Sequence, residues 1–380
     1  MSNLSIGICG AGMGGLAAAI ALRQAGHAVR VFERTPRFNR VGADINLTPN
    51  AVFALDKLGV GAYLRKSAAR PTFRISRDGI TGEETSRLPM SSAAEAKYGA
   101  PQLTIHRADL LSAMQDQVPA GYIELGRAVH GVSLRDHGAT IRFADDVEAD
   151  FDVVIGADGI HSAVRSALWG ADTPAFTGIV SYRGVFPRER VEGMADIDAF
   201  TKWWGDTGDR QIVVFPLTQG KEIFVFATTP EEAWSAEGWT LPGDIEALRA
   251  AYSDFHPQAR ALLDACDSVT ASALFVREPM AQWARGAVTL LGDAAHPMVP
   301  FMAQGACMAI EDAVVLARAL TGVSRDARGG QIGEALRRYE AERKPRTAEI
   351  QRSSLANDWL KTGSNADWVY AYDAWTVALP

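Results

Sequence analysis

Disulfide chemistry has little to work with in this chain. Its three cysteines, Cys9, Cys266 and Cys307, are odd in number, far apart and each in apolar company. They read as buried free thiols, which makes a reducing cytoplasm the expected location and leaves no disulfide framework or metal site to expect. Long apolar runs are equally scarce: no window supplies the roughly 18 uncharged apolar residues that a membrane span requires. The stretch from Ile6 to Leu22 imitates a signal peptide, but no Lys or Arg precedes Arg23, so the basic leader of such a segment is missing. Excess basic charge is absent too. The 38 Lys and Arg against 45 Asp and Glu leave a formal net charge of −7, the wrong sign for a nucleic-acid partner. What is present, 47% hydrophobic and 22% charged residues, suits a globular protein and excludes a disordered or fibrous one. A length of 380 residues suggests two or three structural units. The 35 glycines show no repeat period and so should mark particular turns.

One such turn lies near the N-terminus. Ser5–Cys9 reads as a short buried strand, Gly10-Ala11-Gly12-Met13-Gly14-Gly15 follows at once, and a helical period from Leu16 to Ala25 ends at Gly26. A second strand, Ala28–Phe32, closes with Glu33. This is G-x-G-x-x-G between strand and helix with an acid about 20 residues on, the dinucleotide-binding fingerprint in its required context. Gly10 permits the tight turn, Gly12 lets backbone approach a pyrophosphate, and Gly15 lets helix pack on strand. The helix N-terminus offers its free N–H groups to phosphate, and Glu33 suits a ribose diol. The motif leaves NAD and FAD open. Arg34 reads either as a ligand of an NADP 2′-phosphate or as a solvated side chain.

Further along, residues 42–50 form a loop into a helix from Ala51 to Leu58, residues 73–98 look irregular with a hairpin over Gly79 and Gly82, and Gln102–Ile105 is a strand that meets Arg107 and a helix from Ala108 to Gln117. Strand texture then covers Tyr122–Leu125, Val129–Leu134, Thr140–Phe143 and Phe151–Ile155. From Phe176 to Thr229 the strands become aromatic-rich, and Ile212–Leu217 and Glu222–Ala227 flank a Thr218-Gln219-Gly220-Lys221 hairpin turn, so a separate sheet is expected. Helices follow at Pro242–Ser253, Pro257–Cys266, Gly305–Leu320 and Ile332–Ala356, the last broken or bent near Pro345. The aromatic tail, with Trp359, Trp368, Tyr370, Tyr372 and Trp375, should pack on the surface.

Two further stretches bear on the choice of dinucleotide. Asp152–Arg165 is a buried strand feeding the Gly-rich turn Gly156-Ala157-Asp158-Gly159 and then a helix. Val288–Pro297 is another strand ending in Gly292-Asp293, and Gln304-Gly305 opens the next helix. These three motifs, in this order and spacing, resemble the flavoprotein aromatic hydroxylases of the para-hydroxybenzoate hydroxylase type over nearly the whole chain. The resemblance implies an α/β fold: a Rossmann-like FAD-binding domain of three ββα layers, an inserted mixed β-sheet substrate domain and C-terminal helices. Residues 1–72, 99–175 and 271–345 would build the FAD domain, 73–98 and 176–270 the substrate domain, and 346–380 a C-terminal helix and tail. It also implies bound FAD, NADH or NADPH as a visiting co-substrate, O2, and transfer of hydroxyl to a small aromatic substrate through a flavin C4a-hydroperoxide. By position, Gly10, Gly12, Met13, Gly14, Gly15, Glu33, Arg34, Arg107, Asp158, Gly159, Gly292, Asp293, Pro297, Gln304, Gly305 and Ala306 would hold the cofactor. The helix starting at Gly305 would offer positive potential to an anionic reduced flavin. A homodimer is expected from the resemblance alone. His161 and His296 belong to its scaffold motifs.

Within the family, Phe73–Gly79, Gly305–Asp312 and the tail segments Ala356–Leu360 and Trp368–Tyr370 are most similar to the 6-hydroxynicotinate 3-monooxygenases. The 3-hydroxybenzoate 6-hydroxylases and salicylate hydroxylases look like further relatives and supply the alternative activity. The pocket departs from the first pattern: Leu47 and Gln211 stand in place of histidines and Phe215 in place of a tyrosine. A site without those partners should reject a hydroxypyridine carboxylate by a factor of ~10⁴. Strand alternation puts Gln211, Val213 and Phe215 on one face, the expected wall toward the flavin. The pocket is expected to contain Leu47, Tyr182, Arg183, Trp203, Gln211, Val213, Phe215, Pro297 and Val299. Gln211, Pro297 and Tyr182 are expected beside the chemistry, and Arg183 is the group to meet a substrate carboxylate. No clear general base stands out. Two other classes share the first motif: a pyridine-nucleotide dehydrogenase, which would be colourless, and a non-enzymatic flavin sensor, which would yield only peroxide.

Overall fold

Alternation, glycine placement and short apolar runs together build a six-stranded and an eight-stranded sheet, with two smaller sheets beside them. In a computed structural model, residues 3–38, 44–234, 238, 241–324, 330–359, 361 and 365–380 are described; Gly42, Ala43 and Leu360 lie outside them. The central sheet has six strands in the order Ala284–Arg285, Val288–Leu290, Val153–Gly156, Ser5–Cys9, Ala28–Glu33 and Ile123–Leu125. Ser5–Cys9 lies in the middle, parallel to both neighbours, with Ile8 opposite Ile155 on one side and Val31 on the other. A strand buried on both faces needs a continuous apolar run, and Ile6, Ile8 and Cys9 are wholly buried.

The two faces of this sheet are covered differently. On one side helix Met13–Gln24 packs against helix Gly305–Leu320; a Cβ at Gly14 would lie 2.5 Å from Leu291 Cδ1 and 3.1 Å from Ala309 Cβ. On the other, a three-stranded antiparallel sheet (Val129–Leu134, Ala139–Phe143, Glu148–Phe151) presses Phe151 and Ile141 onto Gly7. The result is the three-layer ββα arrangement. The run from Phe151 to Ile155 is not one strand. The chain changes sheets at Asp152, whose carboxylate accepts from the Ser5 N–H (2.7 Å) and hydroxyl (2.9 Å), and its unbroken hydrophobicity conceals the corner.

The second sheet has eight strands, in the order Leu241–Gly243, Val269–Val276, Ala175–Pro187, Glu222–Pro230, Gln211–Leu217, Phe200–Trp204, Phe73–Asp78 and Glu84–Pro89. All pairs are antiparallel except Phe200–Trp204 with Phe73–Asp78, so the sheet is mixed. The stretch that looked irregular is therefore an edge hairpin of this sheet followed by a short helix, Ser92–Tyr98. Ile212, Val214, Val225 and Phe186 meet helices Ile245–Ala251 and Pro257–Asp264 on the outer face. Phe215, Phe224, Phe226 and Leu274 face the other way, against Val299 and Phe301. Helix Gly330–Ala356 runs through Pro345 without ending there. The aromatic tail is fixed: Trp359 and Tyr370 are buried, and Trp375 donates to the Ala54 carbonyl (3.4 Å). All three cysteines are free and buried.

Candidate active site

The first glycine turn closes tightly on itself. Gly10 has φ +104°, its N–H donates to the Phe32 carbonyl (2.8 Å), and a Cβ there would run into the Ala157 carbonyl. A Cβ at Gly15 would collide with the Gly10 carbonyl. At Gly12, the residue that caps helix Met13–Gln24, an added Cβ would meet nothing within 4 Å. Nothing crowds the helix N-terminus at Gly12, where a phosphate would approach. Glu33 stands beside it, accepting from the Ala11 N–H (2.9 Å) and from the Thr35 N–H and hydroxyl (3.0 Å each). Arg34, next in line, is exposed.

Arg107 begins helix Arg107–Gln115 and feels the charges of both Asp293 and Glu33, so it bridges the two carboxylates electrostatically. Asp158 is engaged in its own turn: its carboxylate accepts from Ser162 Oγ (2.5 Å) and the Val164 N–H (3.2 Å) and so caps helix Ala163–Trp169. Gly159 beside it has φ +80°.

A buried charge network holds the other half of the site. Asp312, wholly buried, accepts from the Gly292 N–H (3.0 Å), pairs with His296 Nε2 (2.6 Å) and accepts from Arg343 Nε (2.8 Å). Burial pushes its carboxyl up, but His296 and Arg343 outweigh burial and hold it at about 2. Glu311 is within ion-pair distance of Arg343 (2.7 Å) and Arg346 (2.8 Å) and accepts from Asn50 Nδ2 (2.6 Å). Asn50 also reaches Gln304 (3.3 Å), whose amide donates to Thr48 Oγ1 (2.9 Å). These bonds fix the Gly292–Asp293 turn and the N-terminus of helix Gly305–Leu320, where Gly305 and Ala306 remain half-exposed. The C-terminal helix secures the connecting loop: Gln351 donates to the Pro297 carbonyl (3.0 Å) and Ser354 to that of Val299 (2.6 Å).

Opposite lies the inner face of the eight-stranded sheet. Cross-strand pairing sets Gln211 beside Thr228, Val213 beside Phe226 and Phe215 beside Phe224, all on the side of Val299 and Phe301. Arg183 shares that face. Its guanidinium donates to Ser181 Oγ (3.0 Å) and Ser272 Oγ (2.7 Å) and lies 5.4 Å from the Phe226 ring centre. Among the described residues no carboxylate comes within ion-pair distance of it; Asp44 acts from further off. Gln211 is wholly buried, yet neither its amide oxygen nor its nitrogen has a hydrogen-bond partner among the described residues. An amide left in this state costs about 1–3 kcal/mol.

Several of these groups share one property. Asp44, Arg107, Asp158 and Arg183 are half-exposed and Asp293 is exposed, yet for each the surrounding protein mass is the largest influence on its proton affinity. Accessible surface within dense surroundings marks the wall of a deep recess. Burial raises the Asp44 carboxyl to about 6 against the opposing pull of Arg183. Burial likewise raises Asp293, opposed by His296 and Arg107.

Two expected pocket residues lie elsewhere. Tyr182 and Trp203 fall on the outer face, packed into the helix-covered core; Tyr182 approaches Gly243, and Trp203 stacks on His256 with ring centres 5.7 Å apart. Period-two alternation forces this, since Tyr182 adjoins the inward Arg183 and Trp203 the inward Lys202. Leu47 is wholly buried in the core of the dinucleotide half, paired with Leu103. Sequence reasoning passed over Asp44, the two serines under Arg183, and Lys202, a buried amine in the middle of an aromatic strand.

Residues 3–354 match the FAD binding domain family. The 6-hydroxynicotinate 3-monooxygenase of Bordetella bronchiseptica is 38% identical over 377 residues, covering 98% of this chain and 96% of that protein. The 3-amino-4-hydroxybenzoate 2-monooxygenase of Streptomyces cremeus is 38% identical over 352 residues, 92% of this chain and 86% of that one. Among solved structures, a salicylate hydroxylase substrate complex superposes with a TM-score of 0.84 at 26% identity, covering 98% of this chain and 96% of the other. Fold, glycine turns and full-length similarity agree: the chain belongs to the FAD binding domain family and, within it, to the FAD-dependent aromatic hydroxylases.

Proposed function

We propose that this monooxygenase hydroxylates a small aromatic ring that carries both a hydroxyl and a carboxylate. Arg183 carries the reading. It is an inward-facing arginine held by two serine hydroxyls, with no carboxylate at ion-pair distance among the described residues and an unpartnered Gln211 amide on the same sheet face. A cation on the wall of a desolvating recess with no carboxylate at ion-pair distance suits a ligand that supplies the anion. The relatives named above act, by name, on a hydroxynicotinate, an aminohydroxybenzoate and a salicylate, each an aromatic acid with a ring hydroxyl.

The residues present fit FAD, since the open helix N-terminus at Gly12, the carboxylates at Glu33 and Asp293 and the bridging Arg107 match its pyrophosphate, riboses and charge. Bound FAD supplies hydride uptake from NADH or NADPH and activation of O2 for transfer of one oxygen atom. The protein's own part is placement. Gly10, Gly12, Met13, Gly14 and Gly15 take the pyrophosphate at the first helix N-terminus. Glu33 takes the adenosine ribose, and Asp293 the ribityl chain, with Gly292 giving it room. Asp158 and Gly159 shape the adjoining turn; Gln304, Gly305 and Ala306 turn a second helix N-terminus toward the ring, where it favours negative charge. Arg183 anchors the substrate carboxylate, Gln211 meets a polar ring substituent, and Val213, Phe215, Pro297 and Val299 wall the ring and keep water from it.

The test is R183M against paired substrates. For hydroxylated aromatic acids, KM rises roughly 10- to 100-fold, the value of a lost charge-assisted pair. For the same phenols lacking the carboxylate, KM changes little. Equal effects on both series would contradict the anchor.

A further inference from the structure

We propose that Lys202 is the base that takes the proton from the substrate's ring hydroxyl, acting beside the Gln211 amide. This rests on the reading of the substrate as a hydroxylated aromatic acid. Lys202 shares the inner face with Phe200 and is paired across the strands with Val213. Its Nζ lies 3.5 Å from the Trp204 ring centre and 5.8 Å from that of Phe301, which follows the Pro297–Val299 loop. Trp204 is in turn the cross-strand partner of Gln211, so the amine and the unpartnered amide stand at the same end of the pocket. Trp204 Nε1 is also buried with no hydrogen-bond partner among the described residues. The register thus sets two polar side chains with unmet hydrogen bonds on the strand positions next to Lys202, which suits a polar ligand atom.

The surroundings decide which form of the amine is present. Lys202 is buried, and the charges facing it are cations: Arg74 on the neighbouring strand and Lys361 beyond the C-terminal helix. The helix end contributes the neutral Asn357, whose side-chain oxygen accepts from Nζ (2.8 Å), and the loop contributes the Phe301 ring. Asp78, at the end of the Arg74 strand, has its charge met by Lys361. Burial first, then the two cations, push the ammonium well below its usual range. A neutral amine donating one hydrogen to Asn357 keeps its lone pair for a proton. In the step, the ring O–H bond breaks, its electron pair stays on the ring oxygen and enriches the carbon to be attacked, and the proton bonds to Nζ. A neutral phenol and amine become phenolate and ammonium, and the proton returns to the oxygen of the product before release.

The experiment compares wild-type holoenzyme with K202M. In the wild type, turnover rises with pH through one limb as Lys202 loses its proton. K202M loses that limb and roughly 10²- to 10⁴-fold in kcat at neutral pH, its residual rate climbing as free substrate ionises. A second readout is independent of turnover. 4-Nitrophenol, whose ionised form absorbs visible light, binds to the wild type as phenolate at pH values where it is protonated in solution, and K202M abolishes this shift. K202M also removes the hydrogen bond to Asn357, so its thermal midpoint falls with either role, and the pH profile and the nitrophenol shift are the readouts that a merely structural lysine would not move. An unchanged pH profile in K202M, or a nitrophenol that fails to bind to the wild type or binds protonated, overturns the proposal. The wild-type titration decides the matter should K202M fail to fold. Absence of hydroxylated product from the wild type with any aromatic acid would instead strike the substrate reading, whatever Lys202 does to the probe.

Discussion

Arg343 shows how much one side chain can hold in place. It is wholly buried between Glu311 and Asp312, and through Asp312 it reaches His296 and the Gly292 turn. Removing Arg343 leaves Glu311 to Arg346 and Asp312 to His296, each short of a buried partner, and breaking a buried pair of this kind costs about 3–5 kcal/mol. R343M is therefore expected to lose that much stability in denaturant unfolding. R337A, which breaks an exposed pair with Glu334, should change it by about 0–1 kcal/mol. The pH dependence follows from Asp312. Its carboxyl sits at about 2 in the folded chain, below the ~3.9 of an unfolded one, so its contribution is intact above ~4 and is lost as pH falls through the folded value. A stability loss of R343M below about 1 kcal/mol would show the network to be decorative.

Alternation is the governing fact for single elements. In Gln211–Leu217 it separates the inner Gln211, Val213 and Phe215 from the outer Ile212 and Val214, and that division is visible in the residues themselves. The same rule applied to Phe200–Trp204 and Ala175–Pro187 selects Lys202 over Trp203 and Arg183 over Tyr182. The residue types alone place Tyr182, Arg183 and Trp203 in the pocket together and pass over Lys202; geometry permits only one of each adjacent pair on that face. Y182F is accordingly expected to leave KM for aromatic acids within about twofold of wild type, while R183M raises it, as steady-state kinetics will show. A large Y182F effect confined to KM would mean that the strand register here is misassigned.

For the whole molecule, the cofactor half was legible and the substrate half was legible only in outline. The glycine turns declare themselves because no other residue fits at Gly10 or Gly15, where a Cβ would strike backbone oxygens. Helix Gly305–Leu320 has the limits its pattern implies. The corner at Asp152, the entry of Phe73–Pro89 into a distant sheet and the C-terminal helix bracing Pro297 and Val299 depend on contacts between segments far apart in the chain, which local pattern does not encode. The proposed substrate pocket likewise draws on Arg183, Gln211 and the Pro297–Val299 loop, which lie far apart in the chain and meet only in the folded molecule. The central claim, oxygen transfer to a hydroxylated aromatic acid, is tested most directly with 18O-labelled O2. Purified holoenzyme, NADH or NADPH and a panel of hydroxybenzoates and hydroxypyridine carboxylates are incubated together, and the products are weighed by mass spectrometry. The account predicts substrate-stimulated coenzyme oxidation and one labelled oxygen atom in the ring of the product. Coenzyme oxidation yielding only labelled hydrogen peroxide with every aromatic acid would contradict it.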